Sequence, residues 1–207
     1  MQNKKTLLVI LLAFILLLGG AYVLYARLSP LMAPHQLSVQ QPQSQAAPDD
    51  GASSAASQPD AASDAEEKTP APDFTVYDAD GNEVHLSDYF GKPIVVNFWA
   101  SWCGPCQMEM PDFQEAYLDQ GEDIQFLMIN MTDGSRETVE TASDFIAQQE
   151  YTFPVFYDTS WDAAVNYGAY SLPMTYFIDA DGYAIARATG AIDGETLQQG
   201  LDLIAPQ

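Results

Sequence analysis

The residues of this chain best suited to chemistry are its two cysteines, which lie in "NFWASWCGPCQMEMPDF", residues 97–113, with two residues between them. Two thiols at this spacing can form a structural disulfide, half of a zinc site or a redox couple. A structural zinc site needs four soft ligands, and the chain adds only His85 and a distant His35. A bridge across two residues closes a very short loop and stabilises a fold little. These considerations favour a redox couple of Cys103 and Cys106.

The residues around the cysteines predict a buried strand followed by a helix. The run "IVVNFWASW" is typical of a buried strand, and an apolar stripe at helical spacing continues from Cys106. Cys103 would then lie at the helix N-terminus, where free N–H groups and the helix dipole favour a thiolate. A thiolate is the attacking species in disulfide exchange, so Cys103 is the predicted nucleophile. Cys106, one turn later on the buried side, is the predicted resolving thiol.

The rest of the C-terminal part alternates between strand and helix patterns. Six short apolar runs predict strands: "FTVYD", "IVVNFWA", "IQFLMIN", "FPVFY", "MTYFID" and "YAIARA". Three apolar stripes predict helices: Cys106, Met110, Phe113 and Tyr117; Val139, Ala142 and Ile146; Leu197, Leu201 and Ile204. This alternation predicts one α/β domain at residues 70–207. Two "DADG" segments are interpreted as hairpin turns, because they lack the further acidic ligands of a calcium loop.

The N-terminal part predicts a membrane anchor and a linker. Lys4 and Lys5 precede an uncharged, mostly apolar run at residues 6–26, which is long enough to cross a bilayer. A cleaved signal peptide would have a shorter apolar stretch and a better cleavage site. We therefore predict a single transmembrane anchor at residues 1–28, with a cytoplasmic N-terminus and an extracytoplasmic domain. Residues 29–69, rich in Ala, Ser, Pro, Gln and Asp, predict a disordered linker.

The charge of the exported part is strongly negative. All 29 acidic residues but only four of the seven basic residues follow residue 48, which leaves a net charge of −25. Such a surface excludes nucleic acid as a partner and is repelled by anionic lipid headgroups. We interpret the charge as a solubility feature, with selection of a basic protein partner as the alternative.

Longer segments carry a resemblance to a known family. The stretch "FWASWCGPC" is similar to the thioredoxin active site. The wider "APDFTVYDADGNEVHLSDYFGKPIVVNFWASWCGPCQMEMPDF" and the later "YGAYSLPMTYFIDADG" resemble the TlpA/ResA-like, membrane-anchored extracytoplasmic thioredoxins. The resemblance covers about residues 70–205. It implies a thioredoxin fold, a central mixed sheet flanked by helices, with an extra N-terminal β-hairpin from Phe74 to His85. It also implies a thiol-disulfide oxidoreductase with no cofactor beyond its Cys103–Cys106 disulfide and no metal.

The resemblance assigns roles to several further residues. Pro173 matches the family's cis-proline, and the backbone of Leu172 is expected to pair with the substrate chain. Asn97 stands where cytoplasmic thioredoxin has a buried, proton-relaying aspartate, so it cannot be a general base. Glu109 matches a glutamate that some ResA-like proteins place near the thiols. It is either a buried carboxylate that moves the proton of Cys106, or a solvated glutamate of an acidic helix.

The expected substrate contacts lie beside the exposed thiol. Trp102 is the candidate contact residue, together with Gly104 and Pro105 between the cysteines. Pro105 also suits a first-turn position, since its missing N–H has no helical partner there. The loop "MTDGSRE", residues 131–137, is expected to shape the cleft, whereas Trp99 is expected in the core.

The Gly-Pro dipeptide bears on the direction of electron flow. It resembles that of thioredoxin, whose couple is reducing, at roughly −270 mV. We therefore expect a reductase of oxidised exported proteins, such as apocytochrome c or a surface methionine sulfoxide reductase, supplied with electrons by a membrane thiol transporter. The alternatives are a disulfide-forming oxidant, a peroxiredoxin-type peroxidase and a binding module with a vestigial motif. The peroxidase is disfavoured because no Pro-x-x-x-Thr/Ser-x-x-Cys pattern precedes Cys103.

Overall fold

The computed structural model describes residues 37–39 and 68–205. The predicted anchor at residues 1–28 lies outside the described residues, as does most of the predicted linker at 29–69. In the part of the chain that the structure describes, no helix is long and apolar enough to cross a membrane. The anchor and its orientation therefore stay predictions.

The described residues form one mixed β-sheet. Its strands are β1 (Ser38–Val39), β2 (Thr69–Pro70), β3 (Thr75–Tyr77), β4 (Glu83–His85), β5 (Ile94–Trp99), β6 (Gln125–Asn130), β7 (Val155–Tyr157), β8 (Met174–Ile178) and β9 (Tyr183–Thr189). The strand order is β1-β9-β8-β5-β6-β7-β3-β4, and β2 also pairs with β9. Strands β5, β6 and β7 run parallel, whereas β8, β9 and the β3–β4 hairpin pair antiparallel with their neighbours. All six runs predicted as strands contain a strand of this sheet.

Four α-helices cover the two faces of the sheet in the described part. They are α1 (Gly104–Gln120), α2 (Val139–Gln148), α3 (Asp162–Tyr167) and α4 (Gly194–Ile204). Helices α1, α2 and α4 coincide with the three predicted apolar stripes, and α3 was not predicted. With six residues, α3 is too short to show a repeated apolar stripe. The layered α/β architecture is that of the predicted thioredoxin fold.

Strand β5 lies between the two hydrophobic cores, and all six of its residues are buried. Val95 and Trp99 pack with residues of α1, α2 and α4 on one face, whereas Val96 and Phe98 pack with α3 and the β3–β4 hairpin on the other. A parallel strand buried on both faces reads as a continuous apolar run, which explains why the sequence pattern located β5. The same burial confirms that Trp99 is a core residue.

The extra N-terminal hairpin is present as the resemblance implies. Strands β3 and β4 pair with Val76 opposite Val84, and His85 lies in β4 with its Nδ1 atom 3.2 Å from the Thr75 hydroxyl oxygen. The "DADG" segments form turns, and Gly81 has a φ of 82°. Only glycine adopts such a backbone without strain, which is why a glycine closes the turn.

The predicted linker is not irregular throughout. Ser38–Val39 pairs with Arg187 and Ala186 of β9, and Thr69 pairs with Ala184 of the same strand. At these positions the prediction of disorder is wrong. An edge strand presents unpaired N–H and C=O groups that any extended segment can satisfy, and composition does not report that opportunity. Leu37 is half-buried against the core on the α1 face of the sheet.

Candidate active site

The two cysteines form a disulfide at the start of α1. The sulfur atoms of Cys103 and Cys106 are 2.06 Å apart, and the Cα atoms are 5.2 Å apart. Strand β5 ends at Trp99, and the short connection from Ala100 to Trp102 delivers Cys103 to the N-cap position of the helix. The Cys106 N–H donates to the Cys103 sulfur across 3.2 Å. One of the free N–H groups of the helix N-terminus is therefore directed at this sulfur.

The two sulfurs differ in accessibility. Cys103 retains 5% of its surface exposed, whereas Cys106 is completely buried. Only Cys103 lines a cleft of about 490 Å³ beside the helix N-terminus. An incoming sulfur therefore reaches Cys103 first, and the order of attack itself stays a prediction.

Most of the predicted substrate contacts meet at this cleft. Trp102, Gly104, Pro105 and Leu172 all line it. The peptide bond between Leu172 and Pro173 is cis, as the resemblance implies, and Pro173 itself is buried. In the part of the chain that the structure describes, the Leu172 N–H and C=O form no hydrogen bond. They are therefore available to pair with an extended polypeptide.

Glu109 is buried rather than solvated. It lies on α1 one turn beyond Cys106, with 1% of its surface exposed. Its Oε1 accepts from the Asn97 side-chain amide at 2.8 Å, and its Oε2 accepts from the Ile192 N–H at 2.9 Å. Burial raises the pKa of Glu109 to about 7, and these two hydrogen bonds offset only part of that effect. A carboxyl group with this pKa can take up or release a proton near neutrality.

Asn97 holds Glu109 in place from the neighbouring strand. Its amide nitrogen also donates to the Thr175 hydroxyl at 3.1 Å, while its oxygen has no partner among the described residues. The side chain therefore donates to Glu109 and holds its carboxyl group in a fixed orientation.

A second buried carboxylate fixes the connection that leads to Cys103. Glu137 accepts from the Ser101 N–H at 2.8 Å, from the Ser101 hydroxyl at 2.7 Å and from the Asn130 side-chain amide at 2.7 Å. It is completely buried. Since Ser101 lies two residues before Cys103, Glu137 ties the catalytic connection to the loop that follows β6. The sequence analysis placed Glu137 in a cleft-shaping loop but did not identify this role.

The same loop places a cation on the predicted contact residue. Arg136 lies with its guanidinium carbon 3.7 Å from the ring centroid of Trp102, which is 42% exposed. The loop is shaped by Asp133, whose Oδ1 accepts from the N–H groups of Ser135, Arg136 and Glu137. The loop thus orients a cation–π partner for Trp102 at the edge of the cleft.

Two aromatic residues of the cleft were missed by the sequence analysis. Trp161 and Tyr170 line the cleft together with Met131 and Ala169. Trp161 precedes α3 and Tyr170 follows it, so their position depends on a helix that the sequence pattern did not reveal. No cluster of three or more histidine, cysteine or acidic side chains suited to a metal occurs among the described residues.

The fold and this site define a thiol-disulfide oxidoreductase of the thioredoxin fold. The family model described as AhpC/TSA family matches residues 68–186. The chain is 35% identical over 137 residues to the thiol-disulfide oxidoreductase ResA of Geobacillus thermodenitrificans, covering 66% of this chain and 76% of that protein. It is 36% identical over 141 residues to ResA of Oceanobacillus iheyensis, covering 66% of this chain and 72% of that protein. The chain therefore belongs to the AhpC/TSA family and, within it, to the ResA-like thiol-disulfide oxidoreductases.

Solved structures agree with this assignment. A DsbF homologue from Corynebacterium diphtheriae superposes with a TM-score of 0.59 at 28% identity, covering 67% of this chain and 88% of that one. The exposed lipoprotein thioredoxin Etrx1 from Streptococcus pneumoniae superposes with a TM-score of 0.54 at 32% identity, covering 63% of this chain and 98% of that one.

The first prediction concerns the pH dependence of stability. The pKa of Glu109 is about 7 in the folded protein and lies near 4.5 in an unfolded chain, so folding favours the protonated form. Its contribution is fully present below about pH 4.5 and is lost as the pH rises through 7, a change of roughly 3 kcal/mol. The free energy of unfolding of the oxidised protein should therefore fall relative to that of Glu109→Gln over this interval. A constant difference between the two proteins from pH 4.5 to 8 would contradict the raised pKa.

The second prediction concerns Glu137. Glu137→Gln replaces one acceptor oxygen with an amide that faces a donor, so we expect a loss of about 1–3 kcal/mol in the free energy of unfolding. Denaturant titration measures it, and Glu115→Gln, an exposed glutamate of α1, is the control with an expected change of under about 0.5 kcal/mol. Equal stability of Glu137→Gln and the parent protein would show that the hydrogen bonds to Ser101 contribute nothing.

Proposed function

We propose that this protein is an extracytoplasmic disulfide reductase in which Cys103 attacks and Cys106 resolves. The observation that carries the proposal is the asymmetry of the pair. Cys103 faces the cleft at the N-terminus of α1, and Cys106 lies completely buried one turn below it. An accessible thiolate followed by a protected thiol suits an exchange that ends with release of the client.

The reaction starts from the reduced dithiol form. The Cys103 thiolate forms a bond to one sulfur of the client disulfide, and the other client sulfur leaves as a thiolate that takes up a proton. Cys106 then loses its proton, attacks Cys103 and closes the disulfide seen in the structure, while the second client sulfur leaves as a thiol. Two electrons pass from the protein to the client, and a membrane thiol transporter restores them.

Glu109 is proposed as the group that exchanges the proton of Cys106. Its pKa of about 7 lets the carboxylate accept a proton when Cys106 must become a thiolate, and Asn97 keeps it oriented. The carboxyl group of Glu109 is inaccessible to bulk water. The proton of Cys106 can therefore pass to Glu109 while a client covers the cleft.

The reducing direction is supported by the residues between the cysteines. Gly104 and Pro105 provide no charge, whereas a histidine there would stabilise the reduced thiolate and make the protein an oxidant. The sequence pattern of residues 1–28 supports a single-pass anchor with the domain outside the cell membrane. The description of Etrx1 as an exposed lipoprotein thioredoxin fits this location. Oxidised exported proteins, apocytochrome c or a methionine sulfoxide reductase among them, are the proposed clients.

The third prediction is the reduction potential of the Cys103–Cys106 couple. We expect a value near or below roughly −230 mV, in the range of thioredoxin and the more reducing glutaredoxins. Equilibration of the full-length protein in lipid nanodiscs with glutathione or dithiothreitol buffers measures it. A value above roughly −150 mV, toward that of the oxidant DsbA, would replace the proposed reductase with a disulfide-forming catalyst.

The fourth prediction concerns trapping of clients. Cys106→Ser removes the resolving thiol, so mixed disulfides between Cys103 and clients should accumulate, whereas Cys103→Ser should form none. Non-reducing electrophoresis of membranes from cells that express each variant measures the adducts, and loss of the bands with dithiothreitol confirms the bond. Equal adduct formation by the two variants would contradict the assigned order of attack.

A further inference from the structure

The described domain carries far more negative charge than solubility requires. Residues 68–205 contain 23 acidic and four basic side chains, which leaves a net charge of −19. Among the acidic side chains, only Glu109, Glu137 and Asp158 are buried, so the other 20 contribute to the charge of the surface. A net charge of magnitude about 2–8 is enough to keep a small domain soluble. Solubility therefore accounts for less than half of the negative charge.

The basic side chains leave this charge largely uncompensated. Lys68 forms the one ion pair among the described residues, with its Nζ atom 2.7 Å from a carboxylate oxygen of Asp179. Lys92 donates to a main-chain oxygen at 2.6 Å, and Arg187 is exposed on β9. In the part of the chain that the structure describes, Arg136 is the only cation that lines the active-site cleft. A molecule that approaches the domain therefore meets the field of a mostly unpaired acidic surface.

Two acidic grooves lie next to the elements that form the active site. The first runs along α1, the helix that begins at the reactive sulfur, and is lined by three carboxylates of that helix, those of Asp112, Glu115 and Asp119. The second shares Trp161 with the active-site cleft and is lined by Glu83 and Asp162. None of the described residues that line these two grooves is basic. The negative charge therefore extends to the approaches of the cleft.

Inside the cleft, the local charges oppose each other. Asp133 and Arg136 both line it, and they carry opposite charges. The potential at Cys103 is therefore dominated by the acidic surface of the domain as a whole. Summed charge of this kind creates potentials of several kT over a protein surface and changes the local concentration of charged reactants. The effect grows with the charge of the reactant, so it is large between a doubly cationic and a doubly anionic disulfide.

We propose that this acidic surface makes the protein select disulfides by charge, so that it reduces disulfides in cationic polypeptides and excludes anionic low-molecular-weight disulfides of the glutathione class. The proposal rests on the reductase function proposed above and adds its substrate class. The Cys103 thiolate bonds to one sulfur of the incoming disulfide, and the other sulfur leaves as a thiolate that takes up a proton. Cys106 then loses its proton and attacks Cys103, and the second sulfur leaves as a thiol, so two electrons pass to the disulfide. The field acts on the approach, before the first bond forms.

The test compares three small disulfides that differ in charge. At pH 7 cystamine is doubly cationic, hydroxyethyl disulfide is neutral and oxidised glutathione is doubly anionic. Each reacts with the reduced full-length protein in nanodiscs of phosphatidylcholine, a lipid without net charge. Acid quenching, alkylation and mass spectrometry follow the loss of thiol and give a second-order rate constant. The same three reactions of 2-mercaptoethanol, a neutral thiol, give the intrinsic reactivity of each disulfide.

We expect a preference for the cationic disulfide that salt weakens. At an ionic strength of about 0.02 M, the ratio of the rate constants for cystamine and oxidised glutathione should exceed that of 2-mercaptoethanol by at least about tenfold, with hydroxyethyl disulfide in between. At about 0.5 M, where the Debye length is roughly 4 Å, this excess should fall at least about threefold. A change in the thiolate fraction of Cys103 with salt affects all three disulfides equally and cancels in the ratio.

Two variants that each remove one positive charge test whether the field acts at the cleft. Arg136→Gln removes the cation that lines the cleft, so the cystamine-to-glutathione ratio should rise about fivefold at low salt. Arg187→Gln is the matched control, because Arg187 is exposed on β9 and does not line the cleft, and it should change the ratio by less than about twofold. Arg136→Lys retains the charge and should keep the parent ratio within about twofold. Loss of the contact with Trp102 alone would instead change all three rate constants together.

The outcomes separate this proposal from the proposed function. A cystamine-to-glutathione ratio equal to that of 2-mercaptoethanol at low salt, or an excess that salt leaves unchanged, would overturn charge selection and leave the reductase intact. Equal ratios in Arg136→Gln and Arg187→Gln would overturn selection at the cleft. A reduced protein that transfers electrons to none of the three disulfides, together with an oxidising potential, would overturn the proposed reductase and charge selection with it.

Discussion

The connection from β5 to α1 is the constraint on which the site depends. Strand β5 is buried along its full length between two hydrophobic cores, so its end at Trp99 cannot shift without disturbing both. Helix α1 begins at Gly104, and the reversal between them leaves Cys103 at the helix N-terminus. The helical repeat then determines the depth of the other groups, because Cys106 and Glu109 follow at intervals of three residues on the inner side of α1. Accessibility of one sulfur and burial of the other both result from this geometry.

Two buried carboxylates maintain this arrangement in different ways. Glu137 accepts three hydrogen bonds and joins the β5–α1 connection to the loop after β6, so it determines where Cys103 lies. Glu109 accepts two hydrogen bonds from Asn97 and Ile192, and burial dominates its titration. The first carboxylate is structural. The second is suited to proton exchange because burial brings its pKa close to neutrality.

The sequence predicted those features that local patterns encode. Continuous apolar runs located the strands, helical spacing located α1, α2 and α4, and the Cys-Gly-Pro-Cys motif located the reactive pair. The cis bond before Pro173 came from the resemblance alone. The contacts of Glu137 with Ser101 and of Arg136 with Trp102 could not be predicted in this way, because β5 and β6 become neighbours only in the sheet. The pairing of Ser38–Val39 with β9 likewise depends on an edge that exists only after folding.

The position of Glu109 also bears on how electrons and protons stay coupled. Reduction of the Cys103–Cys106 disulfide adds two electrons, and in the proposed mechanism Cys103, at the helix N-terminus, is left as the thiolate. Cys106 is fully buried, so its sulfur cannot exchange a proton directly with bulk water. In the proposed mechanism, the buried sulfur of Cys106 gains a proton when the disulfide is reduced and loses it when the disulfide forms again. We propose that Glu109, a buried carboxyl group one turn away with a pKa of about 7, stores that proton, and that the uncharged Asn97 orients it.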